Sequence, residues 1–204
     1  MGTRHLICVW WKGKWWVAQY GQWNGYPEGQ GVRVFKFLSV ARNIDNLKAG
    51  LENHVYELTE DDHDVSHKSL SRDTGAGILG IIARAGQEFD GDDNLSTDPK
   101  KIPLCSNLGF VNDTLFCEWV YVVDLDKNIL EIFMGVADQG GKDEEHRFKD
   151  VGPEGACVPR LVCSFKFQEL FLLKSEEEFL EKVTEQLKLN GEEGDGEDEN
   201  NEEG

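Results

Sequence analysis

Apolar residues dominate both faces of the first two strands that the pattern predicts. From His5 to Trp11, Leu6, Cys8 and Trp10 alternate with Ile7, Val9 and Trp11; from Trp15 to Tyr20, Trp15 and Val17 alternate with Trp16, Ala18 and Tyr20. A period of two with both sets apolar is the pattern of a strand covered on both faces. Lys12-Gly13-Lys14 separates the two runs and reads as a tight turn, so the pair is expected to be a hairpin in the centre of a sheet. A second two-sided hairpin is expected from Cys117–Asp124 and Ile129–Met134, joined by Leu125-Asp126-Lys127-Asn128. In Leu161–Phe167 the apolar residues Leu161, Cys163, Phe165 and Phe167 alternate with Val162, Ser164 and Lys166. One face is wetter, which predicts an edge strand.

Helical spacing fills the intervals. Gly31 to about Val40 carries Val34, Phe35, Phe37 and Leu38, Asp45–Asn53 is a shorter candidate, and Thr74–Gly86 follows Asp73, a suitable N-cap. Ser175-Glu176-Glu177-Glu178 has the form of a capping box, and Phe179, Leu180, Val183 and Leu187 continue an apolar stripe that Asn190-Gly191 ends. Residues 54–72, 87–114 and 135–158 are polar or broken by Gly and Pro and are read as surface loops. No internal repeat is visible. The elements predict a single α+β domain over residues 1–190: a mainly antiparallel sheet of about five strands, made of two hairpins and an edge strand, with helices packed on it.

Charge changes this picture only at one end. The net charge is −18, yet eight acidic residues and no basic one fall between Glu192 and the end, in a stretch of Gly, Glu, Asp and Asn. Residues 191–204 have almost nothing to bury and are expected to be an acidic disordered tail, either a solubilising end or an arm for a basic protein partner. The acidic balance and the lack of a Lys/Arg cluster disfavour nucleic acid. The apolar run Leu6–Trp11 is too short for a membrane span or a signal-peptide core, so a cytoplasmic or nuclear, non-secreted protein is expected, with no membrane partner. Five cysteines, an odd number placed mostly in apolar runs, read as reduced thiols.

The candidate chemistry lies in Gln19-Tyr20-Gly21-Gln22-Trp23-Asn24-Gly25-Tyr26-Pro27-Glu28-Gly29-Gln30-Gly31, where four glycines, a proline and three aromatics separate a strand from a helix. Such a loop holds a definite shape and offers stacking faces and amides. It is either a rigid connector or a site. Gly29 and Gly31 leave backbone amides unobstructed at a helix start, and Arg4 precedes the first strand, which together would favour a small polar or anionic ligand, although Glu28 opposes one. The loop lacks a Gly-Lys-Ser/Thr ending and is no nucleotide P-loop. Glu118 interrupts an apolar run ahead of Trp119; buried, it would need a partner such as Arg4, and Glu131 on the expected partner strand poses the same question. Two metal readings fail. His63 and His67 lie four apart among carboxylates but without a third ligand, and Asp90, Asp92 and Asn94 begin like a calcium loop that Leu95 and Lys101 then break. No metal or other cofactor is expected. Cys8 would be a terminal-nucleophile candidate only after processing and reads as a core thiol.

Three motifs carry a resemblance: Met1-Gly2-Thr3-Arg4, the loop Gln19–Gly31, and Phe116-Cys117-Glu118-Trp119-Val120-Tyr121-Val122-Val123-Asp124-Leu125-Asp126 with Leu130-Glu131. They look like those of a family of small uncharacterised proteins of filamentous fungi, with shorter relatives in bacteria and phages. The resemblance extends to Gly135. Asn24 stands where that family usually reads Asp, so a carboxylate available to its other members is missing here. The resemblance implies no activity.

The residues read together are Arg4, Tyr20, Gln22, Trp23, Asn24, Tyr26, Gly29, Gly31, Glu118 and Trp119, as the ligand site of a small-ligand or protein-binding module built on loop 19–31. The alternative is a hydrolase of an amide or phosphoester using Arg4, Glu118 and the loop amides. A closed pocket joining Arg4, Tyr20, Trp23 and Glu118 would favour a small molecule, and an open patch of Trp and Tyr a protein partner.

Overall fold

Strands β1 (His5–Trp11) and β2 (Lys14–Gly21) pair antiparallel as expected, through a turn in which Lys12 and Gly13 take positive φ values of 50° and 71°. That geometry matches the twist of the hairpin. The computed structural model describes residues 2–58, 70–87, 102–135 and 145–192. The expected acidic tail beyond Glu192, the segment holding His63 and His67, and the Asp90–Asn94 segment lie outside the described residues. The second expected hairpin is β5 (Trp119–Asp124) with β6 (Ile129–Met134). Its turn holds the first one, since the Asp126 carboxylate accepts the Lys12 and Gly13 amides at 2.9 and 3.0 Å.

The five strands lie in the order β2-β1-β5-β6-β7, with β7 spanning Arg160–Lys166 at the edge as its pattern predicts. The chain is α+β and the sheet mainly antiparallel, but β1 and β5 run parallel, with His5 opposite Trp119. The placement of the whole first hairpin at the centre needs correction, because β2 is the other edge. Apolar alternation reports whether the faces of a strand are covered, not how many strands flank it. Both faces of β2 are covered: Trp15 stacks on Phe148 at 5.4 Å and Trp16 packs towards the helices beside Trp11. Its open side is partly closed by Asn107, whose amide donates to the Ala18 carbonyl at 2.9 Å and whose Oδ1 accepts the Tyr20 amide at 3.3 Å.

The five described α-helices belong to one layer. They are α1 (Val32–Leu38), α2 (Ala41–His54), α3 (Gly77–Ala85), α4 (Phe167–Leu172) and α5 (Glu176–Glu192). Ile7, Val9, Tyr121 and Val123 on the sheet pack with Leu38, Leu47, Ile82 and Phe179. On the opposite face Leu6, Cys8, Val120 and Val122 meet Val111, Phe148, Val151 and Val158. Three of those four covering residues come from 135–158, so this stretch is not merely a surface loop; its apolar residues are too sparse among Gly, Pro and charge to show a period. The other two expected loops contain a small parallel pair, β3 (Val55–Glu57) with β4 (Ile102–Leu104), and a 3₁₀ turn at Leu108–Asn112.

Element ends also moved. A one-turn π-helix, Pro27–Gly31, leads into α1, α2 begins before Asp45, and α3 starts at Gly77 without a side-chain cap from Asp73. In α5 the Ser175 hydroxyl accepts the Glu178 amide at 3.3 Å, while the Glu178 carboxylate reaches the Lys174 amide at 2.8 Å instead of the Ser175 amide of a strict capping box. All five cysteines are free. Among the described residues no helix is long and apolar enough to cross a membrane.

Candidate functional site

The glycine loop folds over the start of β1 and is tied down from inside. The Gly25 amide donates to the Thr3 carbonyl at 3.0 Å, and the buried Tyr121 hydroxyl of β5 donates to the Gly25 carbonyl at 2.7 Å. Buried Gln30 does most of the rest: its side-chain amide donates to the Trp23 carbonyl at 3.3 Å and accepts the Ala76 amide at 2.9 Å, joining the loop to α3. Asn24 occupies a left-handed conformation, φ 56°, that asparagine tolerates well, and its carbonyl accepts the Gln30 amide at 3.0 Å. A methyl group on Gly29 would overlap that same carbonyl.

The amides of Gly29 and Gly31 therefore point inward. Both donate to the Tyr26 carbonyl, at 2.9 and 3.4 Å. They shape the loop and form no open anion nest. Tyr121→Phe should lower stability by about 1–2 kcal/mol, because the Gly25 carbonyl loses its donor in a dry site. Amide exchange should accelerate first at residues 25–31; unchanged exchange there would show that the tyrosine does not hold the loop.

Outward, the same end of the sheet is open and aromatic. The register that sets His5 against Gly21 and Leu6 against Tyr20 carries Arg4 towards Gln22. The Arg4 guanidinium lies over the Phe116 ring, 4.5 Å from its centroid, and the Trp23 ring occupies the space that a side chain on Gly2 would fill. Gly2 is two residues from Arg4, so Trp23 against Gly2 and Phe116 under Arg4 flank one short stretch of chain and are read as one strip. Trp23 and Tyr26 are each 52% exposed, Leu115 66% and Phe116 46%. Tyr20 lies on this face too, its hydroxyl donating to Gln22 Oε1 at 2.6 Å.

Glu118 and Trp119 leave this group. The Glu118 carboxylate accepts the backbone amide of Arg4 at 3.1 Å, and the Arg4 carbonyl accepts the Glu118 amide at 3.1 Å, which extends the β1–β5 pairing by one step. Trp119 is buried among the helices. The three parts of the hydrolase arrangement do not converge: the guanidinium is on Phe116, the carboxylate is on backbone, and the loop amides face inward. Glu131 does not oppose Glu118. It shares Arg147 with Asp124, the two carboxylate oxygens lying 2.6 and 2.7 Å from the same Nη2. Burial raises the Glu131 pKa, and Arg147 pulls it part of the way back.

Sequence reasoning passed over His5, Gln30 and Tyr121, because each sits in a run whose pattern is fully explained by strand or loop. His5 is 1% exposed and neither ring nitrogen has a hydrogen-bond partner. Burial lowers its pKa to about 4, with the Thr3 backbone opposing and Arg33 assisting. Burial also pushes the thiols of Cys8 and Cys117 well up, and that of Cys163 to about 12, so none is poised as a thiolate. Among the described residues no group of His, Cys, Asp and Glu could hold a metal ion. No protein-family model, curated protein or solved structure matches the chain.

Proposed function

We propose that the protein is a protein-binding module that uses the strip Trp23–Arg4–Phe116 together with Tyr26 and Leu115. The observation that carries this reading is the exposure of four large apolar side chains at one end of the sheet, around an arginine whose guanidinium makes no ion pair with a described residue. Aromatic residues and arginine are the types that anchor interfaces, and a loop held from beneath by Tyr121 and Gln30 would present them with little ordering cost on binding. The matching partner segment would cover the rings with apolar side chains and place a carboxylate or carbonyl oxygen on the Arg4 guanidinium. The hydrolase alternative has no comparable support, and the family resemblance adds no activity to either.

The test is a quantitative pull-down from the source cells with the wild type and a Trp23→Ala/Phe116→Ala variant of equal stability. Proteins held by the wild type should fall at least about ten-fold on the variant, as the loss of interface anchors predicts. An identical set at equal abundance on both baits would reject the surface.

A further inference from the structure

We infer that a second site, separate from the partner surface, binds a small flat aromatic anion in the cleft beside the free edge of β2. The cleft has a volume of about 430 Å³ and is lined by Gln19, Tyr20, Arg72, Cys105, Asn107 and Phe110, with Leu70 at one side. That is within the usual size of a small-molecule site. Among the described residues its lining contains a cation and no carboxylate, in a chain with 39 acidic and 21 basic residues.

The polar groups are already oriented. Arg72 lies over the Tyr20 ring, 5.6 Å from the centroid, and takes part in no ion pair with a described residue. A guanidinium placed over an aromatic face still has N–H groups to offer an anion. The Arg72 carbonyl accepts the Gln22 amide at 3.2 Å, which fixes the backbone from which that side chain extends. Asn107 engages Tyr20 through Oδ1, so its NH₂ group is the end left to donate. Gln19 is turned the other way, donating its NH₂ to the Tyr20 carbonyl at 3.0 Å and leaving an acceptor. Tyr20 and Phe110 meet edge to face at 5.0 Å and 77°, forming an aromatic corner. A ligand ring would pack in that corner, with its anionic head on Arg72 and the Asn107 amide.

This site and the partner surface use different residues, so each can fail without the other. The probes are 2-naphthoate and naphthalene-2-carboxamide, which share one ring system and differ in charge. Titrated into the full chain, 2-naphthoate should shift the amide resonances of Tyr20, Arg72 and Asn107. It should also slow alkylation of Cys105 by iodoacetamide relative to Cys157, a half-buried thiol that does not line the cleft. The carboxamide should bind at least about ten-fold more weakly, and Arg72→Gln should remove that difference while keeping the wild-type spectrum elsewhere. The inference is overturned if naphthoate does not bind, if it shifts resonances elsewhere, if the two probes bind equally, or if Arg72→Gln changes nothing.

Discussion

Arg147→Met should lower the unfolding free energy by about 3–5 kcal/mol at pH 7, the usual consequence of removing one member of a buried ionic group. The side chains of Asp124, Arg147 and Glu131 are 0%, 11% and 12% exposed. Asp124 is committed on both oxygens: Oδ1 accepts the Asp126 and Lys127 amides at 2.9 and 2.8 Å, and Oδ2 faces the guanidinium. Both carboxylates converge on one nitrogen without the alignment of good hydrogen bonds, so what Arg147 supplies is chiefly charge. Without it two carboxylates share a dry site. Glu131 already has a raised pKa in the fold, so its ionisation weakens the folded state as pH rises through that value. In the variant this effect grows, and the loss should be smaller at pH 5 than at pH 8. Adding Glu131→Gln should recover part of it. Urea unfolding of the three proteins at both pH values is the measurement, and a loss below about 1 kcal/mol for Arg147→Met would remove the ionic account.

The second large effect is acid sensitivity centred on His5. The ring is neutral in the fold, with a pKa of about 4 against 6.5 for the free side chain. Between these values the unfolded chain binds the extra proton, so stability is retained above pH 6.5 and drains as pH falls towards 4. The expected loss is about 2 kcal/mol at pH 5 and about 3 kcal/mol at pH 4. Carboxylates elsewhere also titrate there, so the informative quantity is the difference between wild type and His5→Phe. Phenylalanine keeps the flat shape packed against Gly21 and carries no proton. That difference should shift in favour of the variant as pH falls from 7 to 4.5; a pH-independent difference would mean that His5 does not titrate in this range. Because the ring lies under Gly21 and the His5 Cβ under Gly25, the loop should be the first region to lose exchange protection.

What could be read in advance follows from the range of the interactions. Both hairpins, β7 and α5 declare themselves in residues two to four apart and are present, although the first hairpin reaches the sheet edge through β2. The β1–β5 pairing joins residues more than a hundred positions apart and leaves no local trace beyond two apolar runs that suit many partners. α4 is hidden for another reason: Phe167 continues the alternation of β7 while already beginning a helix. Of the candidate site, Arg4, Tyr20, Gln22 and Trp23 fall on one side because a hairpin register and a short loop connect them. Phe116 and Arg72 complete their surroundings from distant parts of the chain, where no spacing could show it. The glycines misled in an instructive way. Unobstructed amides at Gly29 and Gly31 suggest an anion site, whereas both amides donate to the Tyr26 carbonyl and the space beside Gly29 is filled by the carbonyl of Asn24.

The parallel junction at the middle of the sheet also governs how the molecule is made. The Arg4 amide and its Glu118 acceptor are 114 residues apart, so a ribosome adding about 5–20 residues per second leaves the first hairpin without its neighbour for roughly 6–23 s. During that interval a ribbon with tryptophans on both sides is in contact with solvent or with whatever shields nascent chains. Productive assembly must wait for synthesis of the second hairpin. Substitutions that make the early ribbon more soluble should therefore raise the yield of native protein even where they leave its final stability unchanged.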